Sequence, residues 1–249
     1  MGRGLLLMKP PAKYNSLNDK QLYILKLAYK FRFITAPLLA EYKDLKSRHS
    51  MYITLELLAE QGYLLRRKDP TPFSNKGIRY CLAPKALPIL RAEGLDEQVL
   101  HTMYKNKTVL EEFIDHQTAI LKLYIALRDP KLHIFSKTEQ YFFEDFPQPR
   151  SDLFIRRIKP IKTKPNLYFL ELYHDQPLFI TKKRLKALIA HYDTEWPDSN
   201  YPTLLFVLAN ERAAKSFQKY AANLLEERRM EDEIEVHTTV LDDSFNLNL

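Results

Sequence analysis

Residues 150–175 read RSDLFIRRIKPIKTKPNLYFLELYHD, and this stretch decides how the second half of the chain folds. Two runs of strand-forming residues flank a basic, proline-containing segment, which is the pattern of a β-hairpin. Each run carries one carboxylate, Asp152 near the start of the first strand and Glu171 inside the second. Carboxylates on adjacent antiparallel strands can converge on one divalent cation. The hairpin therefore either holds a catalytic metal ion or has a suitable shape without binding one.

The segments around this hairpin predict a domain with a mixed sheet. Hydrophobic periodicity indicates a helix over residues 108–128 and a strand region over 132–143 before the hairpin. After the hairpin the pattern predicts a helix, a buried strand, a second helix and a last strand, at residues 180–193, 203–209, 210–230 and 233–241. The overall prediction is an α+β protein in which this α/β domain occupies residues 101–242.

The first half of the chain predicts a separate domain over residues 13–100. Asn18 can cap a first helix, and Gln21 three residues later completes a capping box. Thr35 can cap a second, short helix. Three helices followed by a hairpin with a long polar tip form the element order of a winged helix-turn-helix. A small helical bundle with a hairpin is the alternative.

The third helix of this domain is predicted from about residue 47 to 61. It ends at Gly62, a residue suited to the left-handed conformation after a helix. The same spacing predicts that this helix buries Ile53, Leu57 and Leu58. Two short strands, at residues 63–68 and 78–83, then form the hairpin.

Composition narrows the class of protein. The net charge of +7 favours a polyanionic partner, and nucleic acid is the first candidate. Only five glycines are present and no glycine-rich phosphate loop, which disfavours nucleotide-binding enzymes. Cys81 is the only cysteine, so an intrachain disulfide is excluded. The apolar run near the N-terminus is too short for a signal peptide and no run could span a membrane, so we expect a cytoplasmic protein.

The cations of the first domain are candidates for DNA contact. A winged helix presents the start of its third helix to the major groove and its wing to the backbone. This assigns base contacts to Lys46, Arg48, His49 and Tyr52. It assigns phosphate contacts to Arg66, Arg67, Lys68 and Lys76, to which the second domain adds Lys182 and Lys186. The alternative is that these cations form an ordinary solvated face.

The carboxylates of the second domain are candidates for metal binding. Asp152, Glu171 and a third carboxylate from the preceding helix, where Glu111 and Glu112 both stand and Glu112 is the assigned ligand, would hold Mg²⁺ or Mn²⁺ if this domain is an active nuclease. In the alternative, Asp152 pairs with Arg150 or Arg156 and Glu171 pairs with a hairpin lysine. His116 shares a helix face with apolar residues, which favours a hydrogen-bonded core histidine over a ligand.

The hairpin followed by KKRLKALIAHY (residues 182–192) resembles the PD-(D/E)XK nuclease-like core, with Asp152 and Glu171 at its acidic positions. A winged helix, a helix with a central His116 and these strands together resemble the replication-relaxation family. That resemblance implies sequence-specific binding of duplex DNA by a protein of plasmids or integrative elements. It further implies a role in mobilisation or replication, with relaxase or replication proteins as partners. A homodimer is expected separately, because winged helices often bind paired half-sites.

The resemblance departs from an active nuclease at one position. Tyr173 stands where the catalytic lysine is expected, and a tyrosine carries no positive charge at neutral pH. We therefore predict a degenerate nuclease-like domain without a cofactor. The rival hypothesis is a Mg²⁺- or Mn²⁺-dependent nickase in which Lys183 replaces that lysine. A third hypothesis is an assembly protein whose basic charge aids solubility only.

Overall fold

The computed structural model describes residues 17–68, 76–158, 166–173, 176–196 and 201–240. Its helices are α1 (Asp19–Phe31), α2 (Ala36–Tyr42), α3 (His49–Glu60), α4 (Leu87–Ala92), α5 (Glu97–Thr102), α6 (Glu111–Ala126), α7 (Leu178–Glu195) and α8 (Glu211–Arg228). Its strands are β1 (Ile34–Thr35), β2 (Leu64–Arg67), β3 (Arg79–Leu82), β4 (Leu132–Ser136), β5 (Leu153–Arg157), β6 (Asn166–Tyr173), β7 (Thr203–Leu208) and β8 (Val236–Val240). The chain is α+β.

The first unit combines α1, α2 and α3 with a three-stranded antiparallel sheet of order β1-β3-β2. The predicted capping box is present, since Gln21 N donates to Asn18 Oδ1 at 2.9 Å and Asn18 N donates to Gln21 Oε1 at 3.0 Å. Thr35 caps α2 through Leu38 N as predicted. The short strand β1 was not predicted, because two residues between helices carry no periodicity of their own.

Helix α3 buries a different face from the one predicted. Its buried residues are Met51, Leu55 and Leu58, whereas Ile53 and Leu57 are exposed by 53% and 41%. Apolar residues occur on both sides of this helix, so spacing alone fits two phases. Packing of α3 against α2 and β2 selects the phase that buries Met51 and Leu55.

The second unit contains a five-stranded mixed sheet of order β4-β5-β6-β7-β8. Strands β4, β5 and β6 are antiparallel, while β6, β7 and β8 run parallel. The predicted first strand region is too long, because β4 ends at Ser136 and a 3₁₀ helix follows at Glu139–Phe142. The Glu139 carboxylate accepts hydrogen bonds from the backbone and hydroxyl of Ser136, which turns the chain there.

Two hydrophobic cores lie on opposite faces of this sheet. Alternate residues of β6 divide between them, so Leu170 and Leu172 face the first core and Phe169 the second. The first core also contains residues of α1, α2, α3 and α6. The first unit and one face of the sheet therefore share a core. Helices α7 and α8 cover the other face. The boundary predicted at residue 100 falls inside α5.

The described helices include none with the length and apolar character needed to cross a lipid bilayer. Cys81 is fully buried in β3, where it packs against Phe33 and Ile114. Its surroundings are apolar, and burial raises the pKa of its thiol to about 11. The thiol is therefore protonated at neutral pH and acts as a small core residue.

Candidate functional site

The loop from α2 to α3 and the first turn of α3 form an exposed basic segment. We call residues 43–50 the α3 tip, and every residue in it is exposed. It carries the predicted Lys46, Arg48 and His49, with the half-exposed Tyr52 one turn further along α3. Within the described ranges, Lys46 and Arg48 make no ion pair. Their charges are thus available to a ligand.

Arg128 contacts the start of the α3 tip. Arg128, just beyond the end of α6, donates to the Tyr42 carbonyl and pairs with Asp44 at 2.8 Å. Its guanidinium also lies 5.7 Å from the centre of the Tyr42 ring. Asp44 has a φ of 52°, in the left-handed region that aspartate adopts more often than most non-glycine residues. The ion pair with Arg128 holds its side chain on the same side as Tyr42.

The predicted cations of the β2–β3 hairpin are engaged within the protein. Arg66 pairs with Glu56 at 2.7 Å, and Lys76 pairs with Asp115 at 2.5 Å. These cations are exposed by 37% and 53%, and their assignment to phosphate contacts stays a prediction. Lys68 is exposed. The tip of the hairpin, residues 69–75, lies outside the described residues.

Arg67 is the most extensively engaged of these hairpin cations. Its guanidinium donates to the carbonyls of Asn106 at 3.3 Å and Val109 at 3.1 Å, and it pairs with Glu111 at 3.2 Å. The buried Arg79 donates to the same Glu111 carboxylate. Arg67 therefore holds the hairpin to the segment that leads into α6. Sequence analysis missed this role because Glu111 is 44 residues away along the chain.

The strand register brings Asp152 and Glu171 level, as a shared site requires. Leu153 of β5 pairs with Leu170 of the antiparallel strand β6. Asp152, one residue before Leu153, therefore lies opposite Glu171, one residue after Leu170. Both carboxylates are buried, with exposed fractions of 7% and 3%. The Oδ2 of Asp152 accepts a hydrogen bond from Leu172 N at 2.9 Å, which ties the two strands together.

Each of these carboxylates already has a cationic partner. Arg184 on α7 donates from Nε and Nη2 to Glu171 Oε1 at 2.9 and 2.6 Å. His116 on α6 donates from Nε2 to Asp152 Oδ1 at 3.2 Å. We call these four residues the charge cluster. The expected pairing of Asp152 with Arg150 or Arg156 is replaced by the contact with His116, and the prediction of a hydrogen-bonded His116 is confirmed. The alternative pairing of Glu171 with a hairpin lysine involves residues 159–165, which lie outside the described part of the chain.

Burial and pairing shift the pKa values of the cluster in opposite directions. Burial raises the pKa of Glu171, and the charge of Arg184 offsets this only in part. Burial also acts to raise the pKa of Asp152, but its hydrogen bond and charge interaction with His116 prevail and lower it. Burial acts to lower the pKa of His116, and the contacts with Asp152 outweigh burial and raise it. Asp152 and His116 therefore favour the ionised pair.

The predicted metal site does not fit this arrangement. Glu112 lies on the exposed side of α6, and the part of the chain that the structure describes contains no group of three or more His, Cys, Asp or Glu residues placed to hold an ion. The guanidinium of Arg184 takes the position beside Glu171 that a cation would need. A divalent ion there would face an arginine already bound to its ligand.

The lysines predicted on α7 lie away from the carboxylates. Lys183 and Lys186 are exposed, and Lys182 sits 4.5 Å above the centre of the Tyr220 ring. Burial raises the pKa of Tyr173, so its hydroxyl stays neutral and supplies no charge. Arg184 was missed, although its spacing of four residues from the core residue Leu188 places it on the buried face of α7. That spacing was the available signal.

Comparisons of the chain with protein-family models, with curated proteins and with solved structures found no match. The geometry of the α3 tip and of the charge cluster is therefore the basis on which a function is assigned.

Proposed function

We propose that the protein binds duplex DNA through the α3 tip, with the first unit acting as a winged helix-turn-helix. The observation that carries the proposal is the exposed run at residues 43–50, in which Lys46 and Arg48, just before α3, make no ion pair with the part of the chain that the structure describes. Residues at the start of this helix reach base edges when such a unit docks in the major groove. Three helices with an antiparallel sheet of order β1-β3-β2 support this assignment.

The outer face of α3 is compatible with a polyanion despite its two glutamates. Glu56 accepts from Arg66 and from the Tyr80 hydroxyl, and Glu60 lies 3.8 Å from Arg66. The hydrogen bond from Arg66 is the largest cause of the lowered pKa of Glu56. Arg66 therefore balances one of the two acidic charges on the helix, and Lys46 and Arg48 leave this surface with a net positive charge. The role of Arg66 in binding is thus indirect.

The salt dependence of binding tests the phosphate contacts. The tip carries the exposed cations Lys43, Lys46 and Arg48, and Lys68, just after β2, is also exposed. Neutralising about three or four phosphates gives a slope of log Kd against log salt of roughly 3 for one protomer. Fluorescence anisotropy with a labelled duplex at several salt concentrations measures that slope. Affinity that is insensitive to salt contradicts the proposal.

A pair of matched double variants tests the location of the surface. Lys46→Gln with Arg48→Gln removes two charges from the tip, and we expect at least about tenfold weaker binding to duplex DNA. Lys215→Gln with Arg228→Gln removes two charges from the exposed side of α8, on the other face of the large sheet. Equal losses in the two variants contradict binding through the tip.

For the second unit we propose a nuclease-like scaffold that does not cleave. The Arg184–Glu171 pair supports this, because it neutralises one of the two carboxylates that an ion would require. Supercoiled plasmid incubated with Mn²⁺ should remain intact. Nicking that disappears in both Asp152→Ala and Glu171→Ala would instead establish the rival metal-dependent endonuclease.

The resemblance to the replication-relaxation family supplies the proposed setting. In this proposal the protein acts in the mobilisation or replication of a plasmid or integrative element, in the cytoplasm, beside relaxase or replication proteins. Binding as a homodimer to paired half-sites belongs to the same proposal. Binding to origin-region fragments of such elements, compared with random duplexes, tests it.

A further inference from the structure

A cavity of about 150 Å³ opens beside the charge cluster. Its charged lining consists of His116, Lys137, Arg150, Asp152, Glu171 and Arg184. Two further lining residues, Pro149 and Gln176, are exposed, so the cavity is reachable from solvent. Its volume is several times the roughly 30 Å³ that one water molecule occupies in the liquid. It has room for a small oxyanion.

Cationic groups outnumber carboxylates in this lining. Glu171 is neutralised by Arg184 and Asp152 by His116. Lys137 and Arg150 remain, and neither forms an ion pair with any described residue. The cavity therefore carries an excess of two positive charges when His116 is protonated. An excess of this kind in a partly buried site favours a dianion.

Hydrogen-bond donors of the same lining residues are also unsatisfied. The Nη1 of Arg184 and the Nε of Arg150 are buried and make no hydrogen bond within the described part of the protein. The two side chains are exposed by only 6% and 5%. The half-buried ammonium of Lys137 likewise makes no hydrogen bond in the described ranges. Buried donors in native proteins nearly always have an acceptor, so these donors indicate a missing one.

We propose that this cavity binds a phosphate dianion, with Lys137, Arg150 and Arg184 as its ligands. Guanidinium groups bind phosphate oxygens through charge-assisted hydrogen bonds, and a lysine adds a point charge. Free phosphate and the terminal phosphate of a nucleic-acid strand present this same chemistry. The site is separate from the α3 tip and does not depend on duplex binding there.

Calorimetric titration of the full chain with inorganic phosphate tests the site directly. We expect saturable binding with one site per chain, and loss of one charged ligand in Lys137→Gln should weaken it by at least about tenfold. Lys137 is only half-buried, so its replacement leaves the core in place. Lys131→Gln, an exposed lysine in the turn before β4, is the matched control and should bind as the wild type does.

Short single strands with a 5′-phosphate or a 5′-hydroxyl distinguish the two sources. Tighter binding of the phosphorylated strand that is lost in Lys137→Gln assigns a strand end as the ligand. Binding of inorganic phosphate without that preference assigns the free anion. The double variant Lys46→Gln, Arg48→Gln should leave both results unchanged, which separates this site from duplex binding. Absence of saturable phosphate binding to the wild type, or equal binding by Lys137→Gln, overturns the proposal.

Discussion

Arg184 of α7 and Glu171 of β6 form a buried ion pair in which both Nε and Nη2 of the arginine donate to Oε1 of the glutamate. The two side chains are exposed by 6% and 4%. Arg184 also donates to the hydroxyl of Ser151 at 3.3 Å, next to Asp152. One arginine thus links the helix to both acidic strands and decides that this site is organised by an ion pair.

Removing one partner of this pair should destabilise the protein strongly. Arg184→Met leaves the Glu171 carboxylate buried without its cation, and we expect a loss of about 3–5 kcal/mol in the free energy of unfolding. The double variant Arg184→Met, Glu171→Gln removes both charges and should recover much of that loss. Urea unfolding measures both. A free energy of unfolding of Arg184→Met within about 1 kcal/mol of the wild-type value would contradict the described ion pair.

The pair of His116 and Asp152 predicts a pH dependence of stability. Because the folded-state pKa of His116 lies above its ordinary value of 6.5, its contribution is fully present below that pH and is lost as pH rises through the folded-state value. The pKa of Asp152 is lowered from 3.8, so the contribution of Asp152 is lost only as pH falls below that value. Unfolding free energies of wild type and His116→Gln, measured from about pH 5 to about pH 8, should converge toward high pH. A constant difference contradicts the prediction.

Replacing Arg67 should mainly lower the stability of the protein, with any effect on DNA binding secondary. Arg67→Ala removes three or more hydrogen bonds to the segment before α6, and we expect a loss of about 1–3 kcal/mol in stability. Lys68→Ala is the control at the neighbouring position. Because Lys68 is exposed, the free energy of unfolding of this variant should stay within about 0.5 kcal/mol of the wild-type value. In DNA-binding assays Lys68→Ala should weaken all sequences alike, whereas Arg48→Ala should relax sequence preference. The reverse pattern contradicts the assigned roles.

Two leucines of α3 test which face of the helix is buried. Leu55→Ala empties a fully buried position and should cost about 2–5 kcal/mol. Leu57→Ala, two residues along on the exposed face, should change stability by about 0.5 kcal/mol or less. Thermal or urea unfolding of the two variants gives the comparison. Similar losses at both positions would show that the helix has a different rotation about its axis.

Local signals predicted much of the fold. The capping box of α1, the cap of α2 and the left-handed Gly62 after α3 each depend on residues within three or four positions of one another. The hairpin of β5 and β6 followed from two strand-forming runs around a basic turn, and its register then placed Asp152 beside Glu171. Turns, caps and strand alternation are properties of neighbouring residues, so a single sequence displays them.

Tertiary structure alone decided the partners of the charged residues. Glu171 binds an arginine 13 residues away, Asp152 a histidine 36 residues away and Arg67 a glutamate 44 residues away. Which residues pair in this way depends on the register of two strands and on the rotation of a packed helix. Neither can be predicted from one segment of the sequence. The sequence by itself determined most of the helices and strands and which residues carry charge. Packing decided which charges are buried together and which, at the α3 tip, remain exposed, because burying a charge is favourable only where the fold supplies its partner.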